Sequence, residues 1–339
     1  MDSQFSRYVR QMSVEGFGQT SQEKLSQSCA VIIGVGALGT VSSESLARAG
    51  VGKIVLIDRD YVELTNLQRQ TIFTEDDAKN RTPKAVAAEK YLKKVNSQIE
   101  IVSKVCDVSS ENIEEIVSET DVVIDGTDNL DTRMLINEAC VKLSKPWIYA
   151  GALGSQGVTM NIVPGETACL RCMIAPVAQS GENCATHGVF GMLTGILALN
   201  QSMEAVKVLT GSKNLRKTLL SIDILTNENK QINVEKDDEC AVCMHKSFEY
   251  LAKKKTGITT VKICSADLIQ VTPAEKVEIC LAKIGEKLKK IGKVKLNEHN
   301  ILFENDSAEF TLFSDGRAMI KGAFDESSAK SVYTEFISG

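Results

Sequence analysis

The sequence predicts an α/β fold with a doubly wound, largely parallel, Rossmann-like sheet, followed by a small C-terminal α+β module. Short β-branched strands alternate with helices through the first half of the chain, and these strands are apolar enough to be buried on both faces. The first strand also runs directly into a glycine-rich turn that opens a helix. A lysine-rich linker, 253–257, separates the two predicted domains, 1–250 and 251–339.

The predicted elements follow one another in the order that a parallel sheet requires. They are strand 30–33, a small-residue helix ending at Gly50, strand 53–57, helix 83–95, strand 99–105, helix 110–119, strand 122–124, helix 130–144 and strand 147–150. Residues 169–243 are less regular and contain one predicted helix, 189–209. Beyond the linker, 273–291 predicts a helix with Cys280 on its apolar face, and 310–320 predicts a β-hairpin.

Composition and charge exclude several classes of protein. The 339 residues are 43% hydrophobic and carry a net charge of −5, which argues against a general binder of nucleic acid or of an anionic membrane. The most apolar stretch, 188–199, is shorter than the roughly 20 residues of a membrane span, and we see no signal peptide. Ten cysteines are therefore expected to be reduced thiols or metal ligands of a cytoplasmic protein.

The glycine-rich turn predicts nucleotide binding. Gly34, Gly36 and Gly39 follow the first strand with the spacing that permits a tight turn and close approach of a pyrophosphate. Asp58 ends the second strand 19 residues after Gly39, where its carboxylate can accept hydrogen bonds from ribose hydroxyls. These residues alone favour NAD, with a merely structural turn as the alternative, and they exclude a Walker-type P-loop.

Residues after Asp58 favour a triphosphate over NAD. Asp60, Asn66, Arg69 and Gln70 follow the second strand, and Lys84 opens the next helix. Cationic side chains beside a phosphate chain suit a reaction in which negative charge grows on the phosphates. The alternative for Arg69 or Lys84 taken singly is a solvated surface charge.

Asp128 and Asn129 follow the strand at 122–124, at the sheet edge where α/β proteins bind ligands. A carboxylate there can hold Mg²⁺ that bridges phosphate oxygens. Two alternatives remain at this stage: Asp128 can be the N-cap of the following helix, and Asp125 can take the metal instead.

Two CxxC pairs predict a closed zinc site. Cys169 and Cys172 are separated by 67 residues from Cys240 and Cys243. Four thiolates leave no position open for water, so such a zinc ion is structural. A disulfide or a chance spacing is the alternative.

Cys184, followed by His187, precedes the predicted helix at 189–209. A cysteine near a helix N-terminus can have a lowered pKa and act as a nucleophile. The alternative is an ordinary loop thiol.

Taken together, these motifs resemble the E1-like family of adenylating enzymes of the MoeB and ThiF type. The resemblance covers roughly residues 7–245. Its motifs are Arg7-Tyr8-x-Arg10-Gln11, the three-glycine turn, Asp58-x-Asp60 with Asn66-Leu67-x-Arg69-Gln70, Asp125-x-Thr127-Asp128-Asn129 and the paired CxxC knuckles.

The resemblance implies ATP-dependent adenylation of the C-terminal glycine of a ubiquitin-like sulfur carrier that ends in Gly-Gly, for thiamine or molybdenum-cofactor biosynthesis. In such enzymes the residue matching Asp58 holds the ribose, and those matching Asn66, Arg69 and Lys84 hold the phosphates. The residue matching Asp128 binds Mg²⁺, and that matching Arg10 reaches the ATP of the second subunit of a homodimer.

The resemblance also matches Cys184 to a cysteine that can link covalently to the carrier, and it implies a sulfur donor such as a cysteine desulfurase. Neither Cys264 nor Cys280 suits a sulfurtransferase loop, so we expect no such activity from 251–339. An NAD-dependent oxidoreductase and a non-catalytic E1-like scaffold that binds a carrier are the competing functions.

Overall fold

The computed structural model describes residues 3–174, 188–253, 257–263, 268–273, 277 and 279–337. The chain divides into two compact units, Met1–Lys253 and Lys254–Gly339. Among the described residues, none of the helices combines the length and the hydropathy that crossing a membrane requires.

The first unit is built on one mixed sheet. Its strands are β1 Cys29–Ile33, β2 Lys53–Ile57, β3 Glu100–Lys104, β4 Val122–Asp125, β5 Trp147–Leu153, β6 Gln156–Ile162, β7 Leu219–Asp223 and β8 Glu228–Ile232. They lie in the order β3-β2-β1-β4-β5-β6-β7-β8. Pairing is parallel from β3 to β5 and antiparallel from β5 to β8.

Helices cover both faces of this sheet. They are α1 Val9–Met12, α2 Gly18–Gln27, α3 Ala37–Ala49, α4 Glu75–Lys79, α5 Lys84–Val95, α6 Ile113–Ser118, α7 Leu130–Lys142, α8 Leu170–Met173, α9 Gly191–Thr210 and α10 Glu249–Ala252. Alternate residues of β1 show the two layers: Val31 and Ile33 pack with α6 and α7, whereas Ala30 and Ile32 pack with α3 and α5. The predicted doubly wound sheet with strands buried on both faces is confirmed.

The strand order places a crevice at the middle of the sheet. The chain runs from β1 outward through β2 to β3, and then returns to the other side of β1 as β4. This reversal is the topological switch point at which open α/β sheets bind ligands, outside the carboxyl ends of the strands. The residues that follow β1, β2 and β4 therefore face a common crevice.

The antiparallel strands were missed by the sequence prediction. Strand β5 continues to Leu153 beyond the predicted end at 150, because it pairs with β6 along its whole length. The segment described as less regular contains β7 and β8, which form an antiparallel pair. All five residues of β8 are exposed, so their sequence has no apolar alternation to reveal a strand.

The described residues of the second unit form an antiparallel sheet with two helices. Its strands are β9 Thr259–Ile263, β10 Leu268–Thr272, β11 Lys293–Leu296, β12 Asn300–Glu304, β13 Glu309–Phe313 and β14 Ala318–Lys321, in the order β11-β12-β13-β14-β10-β9. Helices α11 Leu281–Leu288 and α12 Glu326–Phe336 share one apolar cluster with alternate strand residues. The predicted hairpin is present as β13 and β14.

The helix predicted over 273–291 is wrong at residues 273, 277, 279 and 280, which are the described residues of its first half and are not helical. Helix α11 begins only at Leu281, since the Ile279 N–H donates to the Ser314 carbonyl oxygen (2.8 Å) in the hairpin turn and not to a helical carbonyl. Cys280 is therefore the exposed N-cap of α11 and does not lie on an apolar helical face. Cys264 lies outside the described residues.

Candidate active site

The glycine turn after β1 fits closely against the end of β4. Gly34 has φ +89°, and a Cβ atom there would lie 2.6 Å from the carbonyl carbon of Gly126. A Cβ at Gly39 or at Gly126 would lie 2.0 Å from the Gly34 oxygen. Gly36 is different, because the atom nearest to its Cβ position is Gln70 Nε2 at 3.8 Å. Gly34, Gly39 and Gly126 thus allow the close packing of the turn. Gly36 instead leaves an open space at the turn, which we call the Gly36 cradle.

Asp58 orders this turn from the end of β2. Its Oδ2 accepts the Val35 N–H (2.7 Å) and its Oδ1 accepts the Asp60 N–H (2.7 Å). Each carboxylate oxygen retains a further lone pair for a ligand hydroxyl. Burial raises the pKa of the Asp58 carboxyl, while the positive charge of Lys84 opposes that rise.

Lys84 and Asp60 form a buried ion pair beside the turn. Lys84 is the first residue of α5, and its Nζ lies 3.1 Å from Asp60 Oδ2. Burial alone would lower the pKa of the Lys84 ammonium group, but the Asp60 and Asp58 carboxylates outweigh this effect and raise the pKa above its ordinary value. Lys84 therefore stays positively charged in a site that is largely shielded from water.

Asp128 lies on the other side of the crevice, after β4. Its side chain is exposed, and its charge acts on Lys84, Arg59 and Arg133. The N-cap alternative falls to Asn129, whose Oδ1 accepts the Thr132 N–H (2.8 Å). Because the Asn129 oxygen already caps α7, the predicted contact between Asn129 and a nucleotide would use the amide nitrogen.

A buried ion pair that the sequence did not reveal supports the loop at Asp128. Arg133 Nε donates to Asp125 Oδ2 (3.0 Å), and Arg133 Nη2 donates to the Thr127 (2.6 Å) and Ala150 (3.0 Å) carbonyl oxygens. Thr127 fills the other Asp125 oxygen through its N–H and hydroxyl group. Both Asp125 oxygens are thus used inside the protein, which speaks against Asp125 as the metal ligand.

The Asn66–Gln70 segment packs beside the same turn. The Asn66 side chain is buried, and its Oδ1 accepts the Glu63 N–H (3.0 Å), so it holds the segment's own 3₁₀ turn. Gln70 is also buried, with its amide group at the Gly36 cradle. Gln70 Oε1 is buried and makes no hydrogen bond within the described part of the chain.

Arg69, which belongs to this segment, packs against the start of α9. Its Nη1 donates to the Thr65 carbonyl oxygen (3.0 Å). A Cβ atom at Gly191, the first residue of α9, would lie 3.3 Å from Arg69 Cα and Cβ. Arg69 is therefore held at the N-terminus of a long helix, where backbone N–H groups favour anions.

The N-terminal motif separates into anchors and exposed arginines. Tyr8 is buried, its hydroxyl accepts a hydrogen bond from Asn96 Nδ2 (2.8 Å), and Gln11 Nε2 donates to the Ala49 carbonyl oxygen (2.9 Å). Arg10 is exposed and makes no ion pair within the described residues. Cys184 and His187 lie outside the described residues.

The four cysteines of the two CxxC pairs lie together. Their sulfur atoms are all within 4.8 Å of one another, and the Sγ–Sγ separations are 3.8 Å for Cys169–Cys172, 3.6 Å for Cys169–Cys240 and 3.5 Å for Cys172–Cys243. Tetrahedral zinc with bonds of about 2.3 Å requires sulfur separations of about 3.8 Å. The donor set therefore fits a Cys₄ zinc site.

Fold and site together define an α/β protein with a crevice at the switch point of its sheet and a buried positive charge beside the glycine turn, a combination that suits a nucleotide-binding enzyme. Residues 8–242 match the model of the ThiF family, and the chain belongs to that family. It is accordingly an adenylyltransferase of the E1-like MoeB and ThiF type, and the NAD-dependent oxidoreductase is set aside.

Individual relatives agree with this assignment. The sulfur carrier protein ThiS adenylyltransferase of Bacillus subtilis (strain 168) is 38% identical over 98% of this chain and 99% of its own length. The enzyme of the same name from Escherichia coli (strain K12) is 37% identical over 71% of this chain and 96% of its own. Among solved structures, E. coli MccB with MccA-N7isoASN superposes with a TM-score of 0.64, at 25% identity, over 72% of this chain and 75% of that one.

Proposed function

We propose that this chain uses ATP to adenylate the C-terminal glycine of a ubiquitin-like sulfur carrier of the ThiS type. The adenylation domain comprises residues 1–250, and residues 251–339 form a second domain that carries none of this chemistry. The relative from B. subtilis, a sulfur carrier protein ThiS adenylyltransferase, aligns with both parts. The four clustered cysteines favour a cytoplasmic location, since cysteines bind a metal only in their reduced form and the cytoplasm keeps them reduced.

One observation carries the proposal. The buried, permanently charged Lys84 lies beside the glycine turn, and the carboxylates of Asp58 and Asp128 lie within electrostatic reach of it. A fixed cation in a water-shielded crevice stabilises a polyphosphate on which negative charge accumulates. Hydride transfer leaves the charge on the cofactor phosphates unchanged, so a cation there would not stabilise its transition state.

The reaction that fits this pocket activates a carboxylate. A carboxylate oxygen of the carrier's terminal glycine attacks the α-phosphorus of ATP. The bond between that phosphorus and the oxygen that bridges to the β-phosphate breaks, and pyrophosphate leaves. The resulting acyl-adenylate has AMP as a good leaving group, whereas the free carboxylate has none. Charge stabilisation and positioning suffice for this step, so the site needs no general acid–base pair.

We assign the nucleotide contacts residue by residue. Asp58 binds the ribose, and Asn66, Arg69 and Lys84 bind the phosphates. The open cradle at Gly36 admits the phosphate chain, and Gln70 Nε2, which borders the cradle, can donate to a phosphate oxygen. Gly34 and Gly39 shape the turn, whereas Asp60 and Asn129 keep Lys84 and α7 in place. Asp128 would hold Mg²⁺, which neutralises phosphate charge when it is bound.

We also propose that the enzyme is a homodimer in which Arg10 of one subunit reaches the ATP of the other. Helix α9 supports a dimer, because it exposes Met192, Ile196, Leu199 and Met203 to 73, 40, 55 and 51%. Their spacing of four, three and four residues forms one stripe along the helix, as in helices that pair with a like helix. The exposed Arg10 is free to reach a second subunit.

The remaining assignments concern sulfur and zinc. Cys169, Cys172, Cys240 and Cys243 hold structural zinc that ties the end of β6 to the segment after β8. Cys184 is the cysteine that we propose to displace AMP from the acyl-adenylate and so link covalently to the carrier, with a cysteine desulfurase as the sulfur donor. A Cys184→Ala variant should keep adenylation and lose sulfur loading, and full sulfur loading in this variant would contradict the covalent step.

The test is ATP–pyrophosphate exchange with a panel of carriers that end in Gly-Gly. Zinc-loaded enzyme should incorporate labelled pyrophosphate into ATP only when a carrier is present, and a carrier lacking its last glycine is the matched control. Asp128→Ala should abolish exchange without changing the fold. Absence of exchange with every carrier would contradict the proposal and favour the non-catalytic scaffold.

A further inference from the structure

Helix α7 joins the crevice to the cysteine cluster through three polar side chains spaced by four residues. At its start Asn129 caps the helix. One turn later Arg133 holds the loop that carries Asp128, through Asp125 and Thr127. A further turn along, Asn137 Oδ1 accepts the N–H of Leu170, the residue that follows Cys169 (2.8 Å). A single rigid element thus contacts both sites.

The other half of the Asn137 carboxamide has no conventional partner. Asn137 is 0% exposed, and its buried Nδ2 makes no regular hydrogen bond within the described residues. The Leu170 N–H that Oδ1 accepts belongs to the residue after Cys169, and the Asn137 side chain is a hydrogen-bonding neighbour of the Cys169 sulfur. Asn137 therefore aims a buried N–H donor at one of the four metal-ligating cysteines.

A metal-bound sulfur satisfies this donor better than a thiol does. A thiol is a weak hydrogen-bond acceptor, whereas four thiolates around Zn²⁺ give a cluster with a net charge of about −2 whose sulfur atoms accept more strongly. Hydrogen bonds from outside the ligand set orient the ligands and help to retain the metal. A Cys169 thiolate bound to zinc would therefore supply the hydrogen-bond acceptor that the buried Asn137 Nδ2 otherwise lacks.

We propose that Asn137 is a positioning residue of the zinc centre: its Nδ2 donates to the Cys169 thiolate while its Oδ1 holds the Leu170 amide, so that zinc occupancy fixes α7 and the loop carrying Asp128. This inference rests on the zinc site of the proposed function. The connection is short, since the eight residues of α7 from Leu130 to Asn137 span about 12 Å of helix. Zinc then does more than connect two distant segments of the chain, because loss of zinc also makes the loop that carries Asp128 less ordered.

The first experiment measures zinc affinity, which requires no adenylation activity. Asn137→Ala should bind zinc about 10–100-fold more weakly in competition with a chromophoric chelator. Asn137→Leu keeps the side-chain volume and should show the same loss, which separates the hydrogen bonds from a cavity. In the Co²⁺-loaded protein, the thiolate-to-metal charge-transfer band should shift in both variants.

Asn96 provides the matched control. It is also 0% exposed, and its Nδ2 donates to the Tyr8 hydroxyl and the Ala47 carbonyl oxygen, with no cysteine nearby among its partners. Asn96→Ala should destabilise the fold but retain wild-type zinc affinity and the wild-type cobalt spectrum. Wild-type affinity in both Asn137 variants, or an equal loss in Asn96→Ala, would overturn the proposal.

The second experiment follows backbone hydrogen exchange in residues 125–133. Removal of zinc from the wild-type protein should speed exchange there, and Asn137→Leu should show faster exchange even when zinc is bound. Asn96→Ala should leave this segment protected. Unchanged protection of 125–133 after zinc removal would disprove the link through α7, whether or not the enzyme adenylates a carrier.

Discussion

Lys84 is the residue whose charge matters most to the proposed reaction. Lys84→Met removes the cation from the phosphate pocket, so pyrophosphate exchange should fall about 10²–10³-fold. The variant also leaves the partly buried Asp60 without its nearest cation, which should lower the free energy of unfolding by about 1–3 kcal/mol. Exchange kinetics and urea unfolding measure the two effects separately, and a variant with full exchange would contradict the assignment.

The pH dependence of the Lys84 contribution has a definite sign. Its pKa in the folded state is raised above the ordinary value of 10.5, so the ion pair stabilises the fold fully below 10.5 and loses its effect only as the pH rises through the folded-state pKa. The difference in unfolding free energy between wild type and Lys84→Met should therefore stay constant between about pH 6 and 9. A decline within this range would show that the lysine loses its proton earlier than the ion pair allows.

Arg133 and Asp125 are coupled because each is buried against the other. Asp125 has no exposed side-chain surface, so Arg133→Met leaves a buried carboxylate unpaired and should cost about 3–5 kcal/mol of stability. Adding Asp125→Asn removes that charge, and the double variant should be more stable than the sum of the two single losses. Urea denaturation of the four proteins in this cycle measures the coupling. Additive losses would mean that the pair does not hold the loop.

At the scale of the element, the glycine turn offers a matched pair of substitutions. Gly39→Ala places a Cβ atom 2.0 Å from the Gly34 oxygen, which should force the turn apart and cost about 1–3 kcal/mol or more. Gly36→Ala meets nothing closer than 3.8 Å, so the fold should keep its stability while the new methyl group occupies the cradle. ATP should then bind about tenfold more weakly or worse, as measured by calorimetry. Unchanged ATP affinity in Gly36→Ala would place the phosphates elsewhere.

Elements with one dominant local signal could be predicted from the sequence. Strand β2 and helix α5 have strong apolar patterns with glycine or proline at their boundaries, and their predicted limits agree with the structure within one residue. Strand β8 has no buried face, and the residues before α11 bond to a distant turn, so no local pattern revealed either. Hydrogen bonds to other segments of the chain determine where β8 forms and where α11 begins.

The candidate site divides in the same way. The glycine turn, Asp58 and the cysteine pairs follow motifs whose spacing can be read directly, and the structure brings each group together as predicted. The Asp125–Arg133 pair was missed, because a buried arginine looks like any charge on a helix until its partner is known. Asn129 is a motif residue that also caps its helix, which its spacing did not reveal, and its nucleotide contact stays a prediction.

At the scale of the whole molecule, the stripe on α9 should control the oligomeric state. Leu199→Glu introduces a charge in the middle of the exposed apolar row, and two such charges would face each other in a symmetric dimer. We expect the variant to sediment as a monomer with unchanged thermal stability. Lys213→Glu is the surface control, because this lysine lies beyond the helix and outside the stripe. A dimer in the Leu199→Glu variant would move the interface elsewhere.

A dimer that shares its active sites allows two inactive variants to restore each other. In an Arg10→Ala subunit the Lys84 site is intact but the arginine offered to the partner is missing, whereas a Lys84→Met subunit still offers Arg10. After mixing and subunit exchange, each mixed dimer should contain one complete site, built from Lys84 of one subunit and Arg10 of the other. Pyrophosphate exchange should therefore reappear in the mixture, and Leu199→Glu introduced into both subunits should prevent it. If Arg10 acted within its own subunit, the mixed dimer would gain nothing over the separate variants, because its two sites would each lack one cation.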